Sequence, residues 1–434
     1  MTTENSAPAA APQRLMSLDA LRGFDMFWII GADSLVAALN KMTQSGPTKF
    51  LAEQLEHAEW QGFRFYDLIF PLFIFMVGAS IVFSLKKIIA ESGRVGAVGR
   101  VLRRGLLLFV IGIIYSGGFT SPWPDIRLMG VLNRLALCYT FAGLLFIYFK
   151  PRALAAICGG LLIGYWAMMT FIPIRDIQLE QGNLIILAEQ SGDTALAAQL
   201  REIGPASAVN PSAIKDSPVW AAVEKMYYTT TNRVTGKFDM GYNVACHLDF
   251  EHLPGKKWDI FWDPEGFLST IPAVATCLLG VFAGLLLMSP GVSNNRKLAL
   301  LFGVGVGCVL VGWLWGMQFP VIKKVWTSSY VLVAGGYSAM LMGAFYLIVD
   351  VWKYQAWCQP FVWIGMNSIT IYLVKNFLGG FNRLSARLVG GDIKNFLDAK
   401  VAQGFGDMMV AVVGLLLAFW FVRVLYKRKI FLRL

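Results

Sequence analysis

Apolar stretches long enough to cross a bilayer recur along nearly the whole chain, and that alone removes most folds. IFPLFIFMVGASIVF, FLSTIPAVATCLLGVFAGLLLM and MMVAVVGLLLAFWFV are three of them. A hydrocarbon core about 30 Å thick asks for roughly 20 apolar residues per helix. Every backbone group must then be bonded inside the segment. The composition agrees: of 434 residues, 56% are hydrophobic and 15% charged, with a mean hydropathy of +0.57. A soluble chain carries about 25% charged residues. The expected fold class is an all-α polytopic membrane protein of about ten transmembrane helices.

The expected spans are roughly 18–39, 63–85, 105–121, 127–149, 153–172, 267–288, 298–315, 328–350, 361–378 and 406–424. Alternate connections are basic, with Lys86, Lys87, Arg94, Arg100, Arg103 and Arg104 in one, Lys150 and Arg152 in the next, and Arg423 to Arg433 at the end. The positive-inside rule puts these in the cytoplasm, together with both termini. The net charge of +11 is therefore an orientation signal and not a nucleic-acid footprint. Residues 1–14 read as a disordered cytoplasmic tail, having neither a basic n-region nor an apolar core for a signal peptide.

Residues 15–172 form a first helical half and 266–434 a second. Between them, 173–265 is too polar to span and too long for a plain loop, so an extracytoplasmic insertion with structure of its own is expected. Within it, Leu184 to Ile203 reads as a surface helix broken at Gly192, and the rest as loop. CHLDFEH, with Cys246, His247, Asp249, Glu251 and His252, fits no standard zinc spacing. No metal site is expected. GVGVG at Gly303 to Gly307 lies inside an apolar span with no preceding strand, and close helix packing explains it better than phosphate binding.

Ionisable residues inside spans are costly and should face the bundle interior. Span one carries Asp19, Arg22, Asp25 and Asp33. At about 100° per residue, Asp19, Arg22 and Asp33 share one stripe on a continuous helix, while Asp25 points elsewhere. Asp19 and Arg22 suit an ion pair; the depth of Asp33 suits a path across the membrane. Arg134, following Asn133, needs an anion, either a carboxylate such as Asp33 or a ligand phosphate. Asn367 in span nine suits an interhelical tie or a ligand contact. His57 precedes span two, whose first turn holds Asp67. An imidazole titrates near neutrality and a carboxylate can orient it, so this pair suits proton transfer at a membrane face. Asp263 and Glu265, close after Trp258 and Trp262, are either a solvated cap on span six or a site for an amino sugar.

Six motifs, in order, carry a resemblance. They are SLDALRGFDM, HAEWQGFRFYDLIFPLFIFMVGASI, IRLMGVLNRLALCY, WDPEGFLSTIPAVATCLLGVFAG, KKVWTSSYVL and GMNSITIY. The chain resembles the heparan-α-glucosaminide N-acetyltransferase family, including bacterial relatives associated with N-acetylglucosamine use. The resemblance implies transfer of an acetyl group from cytoplasmic acetyl-CoA, as co-substrate, to the amine of a terminal glucosamine on the opposite face. It puts His57 at the family's active-site histidine. Asp33 stands where animal members carry an asparagine, and Asn133 where glutamine is more usual. On this reading His57, Asp67 and Asp33 are catalytic, with His57 the general base or, in a rival mechanism, the nucleophile. Asp263, Glu265, Trp262 and Asn367 bind the acceptor, and Arg22, Asn133, Arg134, Arg103 and Arg104 bind CoA. The partners are an amino-sugar acceptor and membrane lipid, with a homodimer left open. The competing class is a transporter for an amino sugar or related solute, using the stripe on span one.

Overall fold

A computed structural model describes residues 15–120, 122–202 and 218–432. The expected tail over 1–14 and the last residue of the helix expected to end at Ile203 lie outside the described residues. Seven helices among the described residues are long and apolar enough to cross a membrane. The chain is thus a multi-pass helical membrane protein. The difference from about ten spans has three local causes.

Span one is broken. Helix α1 (Met16–Phe27) passes through a wider turn, Trp28–Ala32, into α2 (Asp33–Thr43), with Gly31 at φ 141°. The break frees the carbonyl of Ile29, which accepts a hydrogen bond from Lys375 Nζ. It also destroys the single helical register that would have aligned Asp33 with Asp19 and Arg22. After the short α3 (Gly46–Gln54), spans two and three prove to be halves of one assigned helix, α4 (Phe65–Tyr115). Gly93 interrupts it at φ 68°, ψ −175°. A straight helix would hold Leu85 and Val101 about 24 Å apart. Both instead lie against Gly143, 3.8 and 3.1 Å from where its Cβ would be. The chain therefore doubles back at Gly93, and each half is of spanning length.

Helices α5 (Val131–Tyr148) and α6 (Pro151–Phe171) complete the first half. The insertion is not a surface helix with loops. Strands β1 (Ile174–Arg175) and β2 (Arg233–Val234) pair antiparallel. Helices α7 (Gln181–Gln190), α8 (Thr194–Glu202), α9 (Pro218–Thr229) and α10 (Val244–His252) pack around them. Gly192 does separate α7 from α8, at φ 79°. However, Leu184, Ala188, Leu196 and Leu200 are buried in a core shared with Trp220, Val223 and Phe250. Their spacing on each helix gives one apolar face, and that face turned inward.

The second half contains α11 (Phe267–Leu287), α12 (Asn294–Gly316) and α13 (Ser328–Phe345), the last extended by a wider turn to Val351. Span nine is broken at Asn367 into α14 (Gln359–Met366) and α15 (Ser368–Phe377). Two amphipathic helices, α16 (Phe381–Val389) and α17 (Asp392–Lys400), precede α18 (Phe405–Lys427). Small residues set the closest approaches. A Cβ on Gly23 would lie 1.7 Å from the carbonyl oxygen of Phe361, and one on Gly365 1.9 Å from that of Asp19. These contacts lock α1 to α14 beside Arg22.

Candidate active site

His57 is held by backbone pairing and not by a regular element. Gly62 N–H donates to the carbonyl of Val321 at 2.9 Å, and Gln61 bridges to Ile322. Trp60 Nε1 donates to the carbonyl of Phe238 at 2.8 Å, tying the same segment to the insertion. Asp67 sits in the first turn of α4 with its carboxylate fully buried. One oxygen accepts the backbone N–H groups of Arg64 and Ala58, at 3.1 and 3.2 Å. The other lies 2.9 Å from Nδ1 of His57. A carboxylate already accepting two N–H groups takes a third donor most readily, so the proton belongs on Nδ1 and the lone pair on Nε2. The ring is about half exposed, at 51%, so the free nitrogen is reachable.

The sequence analysis assigned Lys323 no role. The Gly62–Val321 pairing brings its Nζ within 2.8 Å of Nδ1 and 3.2 Å of Nε2 of His57, and 3.4 Å from Asp67. These two distances together place the ammonium beside both ring nitrogens and nearer to Nδ1. Burial holds Lys323 below the ordinary lysine value, and the nearby Asp67 carboxylate opposes that shift. Only its place within the quoted KKVWT motif hinted at a role.

Beside this pair lies the segment before α11. Arg127 binds Asp263 through Nε at 2.9 Å and an η-nitrogen at 2.8 Å, and the same η-nitrogen reaches Glu265 at 2.7 Å. Asp263 also accepts the N–H groups of Trp258 and Glu265, which leaves its buried carboxylate fully occupied. It is thus a structural anchor and not an exposed acceptor ligand. Trp262 is 2% exposed, stacked edge-on against Trp60 and below Lys324, and lies outside the cleft. Trp258 is the tryptophan at the rim, with the Arg127 guanidinium 5.0 Å from its ring centre.

Three adjoining cavities of about 970, 900 and 880 Å³, mouths included, run through the bundle. The outer one is lined by His57, Glu265, Lys323, Lys324, Trp258, Arg127 and Arg134. It shares His57, Phe70, Val131, Glu265, Lys323 and Tyr372 with the middle one. The middle one shares Phe73, Leu135, Ser368 and Ile369 with the inner, whose far end carries Arg22 and Arg104. Arg22 bonds Ser80 Oγ at 2.7 Å and pairs with Asp19 at 3.5 Å. Arg104 lies over the ring of Tyr139.

The remaining sequence candidates fall differently. Arg103 is exposed and lines none of these cavities. Asn133 lies outside the cleft, donating to the carbonyl of Phe109 at 2.9 Å against Gly112. Asn367 lines the inner cavity and not the outer one, because the helix breaks there. Arg134 meets neither Asp33 nor any other carboxylate within salt-bridge distance among the described residues. It donates to the Pro264 carbonyl and to Ser269 Oγ, and covers the Trp326 ring. Asp33 does not touch His57. It accepts from the Tyr66 hydroxyl at 3.5 Å, and the Tyr66 ring lies 4.8 Å from the His57 ring. Among the described residues, no three His, Cys, Asp or Glu side chains are grouped to hold a metal. His247 is spent on Tyr227 and the carbonyl of Ile177, and its buried imidazole is pushed down to about 4.

Fold and cleft together define a polytopic helical membrane protein with a histidine–carboxylate pair at one end of a cleft and arginines at the other. Residues 14–187 match the family described as heparan-alpha-glucosaminide N-acetyltransferase, catalytic. The chain is 27% identical to the human heparan-alpha-glucosaminide N-acetyltransferase over 385 residues, covering 84% of this chain and 53% of that protein. Against the mouse protein it is 27% identical over 401 residues, covering 87% and 56%. The chain spans about half the length of the curated relatives it matches. The N-acetyltransferase family that the motifs resemble is thus the one the comparisons return.

Proposed function

We propose that this chain transfers an acetyl group from acetyl-CoA, bound from the Arg22–Arg104 end of the cleft, to an amine held at the His57 end. The observation that carries this reading is the run of adjoining cavities from two arginines to a base with its partner carboxylate. Phosphates favour guanidinium groups, and a thioester on an extended arm can follow a lined cleft to the far end. The amine loses a proton to His57 Nε2 as its nitrogen attacks the thioester carbonyl. The carbon–nitrogen bond forms, the carbon–sulfur bond breaks, and the thiolate takes up a proton. Asp67 stabilises the imidazolium formed on the way. Glu265 and Trp258 supply a carboxylate and an aromatic face for a glucosamine-type acceptor.

The orientation that fits is a bacterial inner membrane with the basic connections and both termini in the cytoplasm and the insertion outside. Purified protein given acetyl-CoA and glucosamine should release free thiol, and His57→Ala should abolish the release. A cleft reaching both ends also suits a solute transporter. Glucosamine uptake into vesicles with no thiol release would select that reading.

A further inference from the structure

The Lys323 amine occupies the place where an acceptor amine would have to sit. Its Nζ is 2.8 Å from Nδ1 and 3.2 Å from Nε2 of His57, the latter being the nitrogen left free by Asp67, and it lines both the outer and the middle cavity. Two features distinguish it from an ordinary exposed lysine. The 321–323 segment is pinned by the backbone pairing to Gly62, and the amine lies 3.4 Å from the Asp67 carboxylate. Partial burial also favours the neutral, nucleophilic form. Lys324, next in sequence, is committed to Asp259 at 3.4 Å and to the Trp262 face.

We propose that Lys323 is an internal acceptor, whose Nζ takes the acyl group when an acyl thioester enters the cleft and no amine substrate is present. The ammonium first passes a proton to His57 Nε2. The neutral nitrogen then attacks the thioester carbonyl, the carbon–nitrogen bond forms and the carbon–sulfur bond breaks. The second nitrogen proton goes to the departing thiolate, so the net products are an N-acetyl-lysine, a free thiol and a proton. An amide is too stable to be passed onward, so this is a side branch that caps the cleft and removes the Lys323–Asp67 ion pair.

The inference rests on the acetyl-transfer reading, and the test separates the two. Full-length protein in detergent is incubated with acetyl-CoA carrying a heavy-isotope acetyl group, with and without glucosamine, and modified peptides are mapped by mass spectrometry. Label concentrated on Lys323, suppressed by glucosamine, slowed by His57→Ala and absent in Lys323→Arg is the expected result. Label spread over exposed lysines such as Lys41 and Lys87 according to accessibility overturns the inference. So does an unlabelled Lys323 in protein that releases thiol with glucosamine, and in that case the acetyl-transfer reading stands. No label and no thiol release overturn both.

Discussion

Arg127 grips Asp263 through two parallel hydrogen bonds of 2.9 and 2.8 Å, and its outer nitrogen goes on to Glu265. Asp263 is completely buried at the side chain, whereas Glu265 stays 15% exposed on the wall of the cleft. The two acids of one short motif therefore do different work. The inner one neutralises and orients the arginine, and the outer one, also paired with it, keeps part of its carboxylate open to the cleft.

Asp263→Ala should accordingly be a stability lesion. Removing one partner of a buried pair strands the other charge and costs about 3–5 kcal/mol. Thermal unfolding in detergent should show a marked drop for Asp263→Ala and little change for Glu265→Gln. The latter should instead raise KM for the amine acceptor and leave KM for acetyl-CoA alone. Equal unfolding midpoints for Asp263→Ala and the unaltered protein would refute the assignment.

His57→Ala should lower kcat by roughly 10²–10⁴-fold, the usual worth of a positioned general base, with unfolding unchanged because the ring is half exposed. Asp67→Asn should lose a similar factor for another reason. An amide that keeps its oxygen on the N–H groups of Ala58 and Arg64 turns its NH2 group to Nδ1 and donates there, which moves the ring proton to Nε2 and removes the lone pair that accepts from the amine. Thiol-release kinetics on both variants check this. An Asp67→Asn protein with full kcat would remove the carboxylate from the mechanism.

At the opposite end, Arg22→Ala and Arg104→Ala should each raise KM for acetyl-CoA by about 5- to 20-fold, as expected for losing one charge-assisted contact worth about 1.5 kcal/mol. Arg103→Ala should not, since that side chain is exposed and lines none of the three cavities. A matched loss in all three would mean that the whole basic cluster, and not the lined cavity, attracts the cofactor.

What the sequence displayed follows from which interactions are local. Apolar length marked the spans, and the ten-residue separation of His57 and Asp67 at a helix start put imidazole and carboxylate within reach. Long-range placement was hidden. Lys323 reaches His57 only because Gly62 pairs with Val321, and no periodicity records a pairing across that separation. The stripe through Asp33 assumed an unbroken helix, and Gly31 broke it. Trp262 and Asp263 looked exposed because polar and aromatic residues before a span usually are. The insertion, whose own core went unrecognised, folded over them. The carboxylate that joins that insertion to the bundle, Asp249, was dismissed with a false metal motif.

Asp249 also makes a pH prediction. Its oxygens accept the N–H groups of Phe267 and Asp263 at 3.1 and 3.3 Å, clasping α10 to the start of α11. Burial first, and then the neighbouring Asp263 charge, push its carboxyl up to about 7, with the two N–H groups and Lys257 opposing. In the unfolded chain it titrates near 4. Between about pH 4 and pH 7 the folded state holds a proton that the unfolded state has released, so this group's contribution to stability falls as pH rises and levels off above 7. At about 1.4 kcal/mol per unit, the change across that window is on the order of 4 kcal/mol. Asp249→Asn keeps an acceptor for one N–H group and cannot ionise. Unfolding midpoints measured from pH 4.5 to 8 should therefore decline less steeply for Asp249→Asn than for the unaltered protein, and parallel curves would show that Asp249 does not titrate in this range.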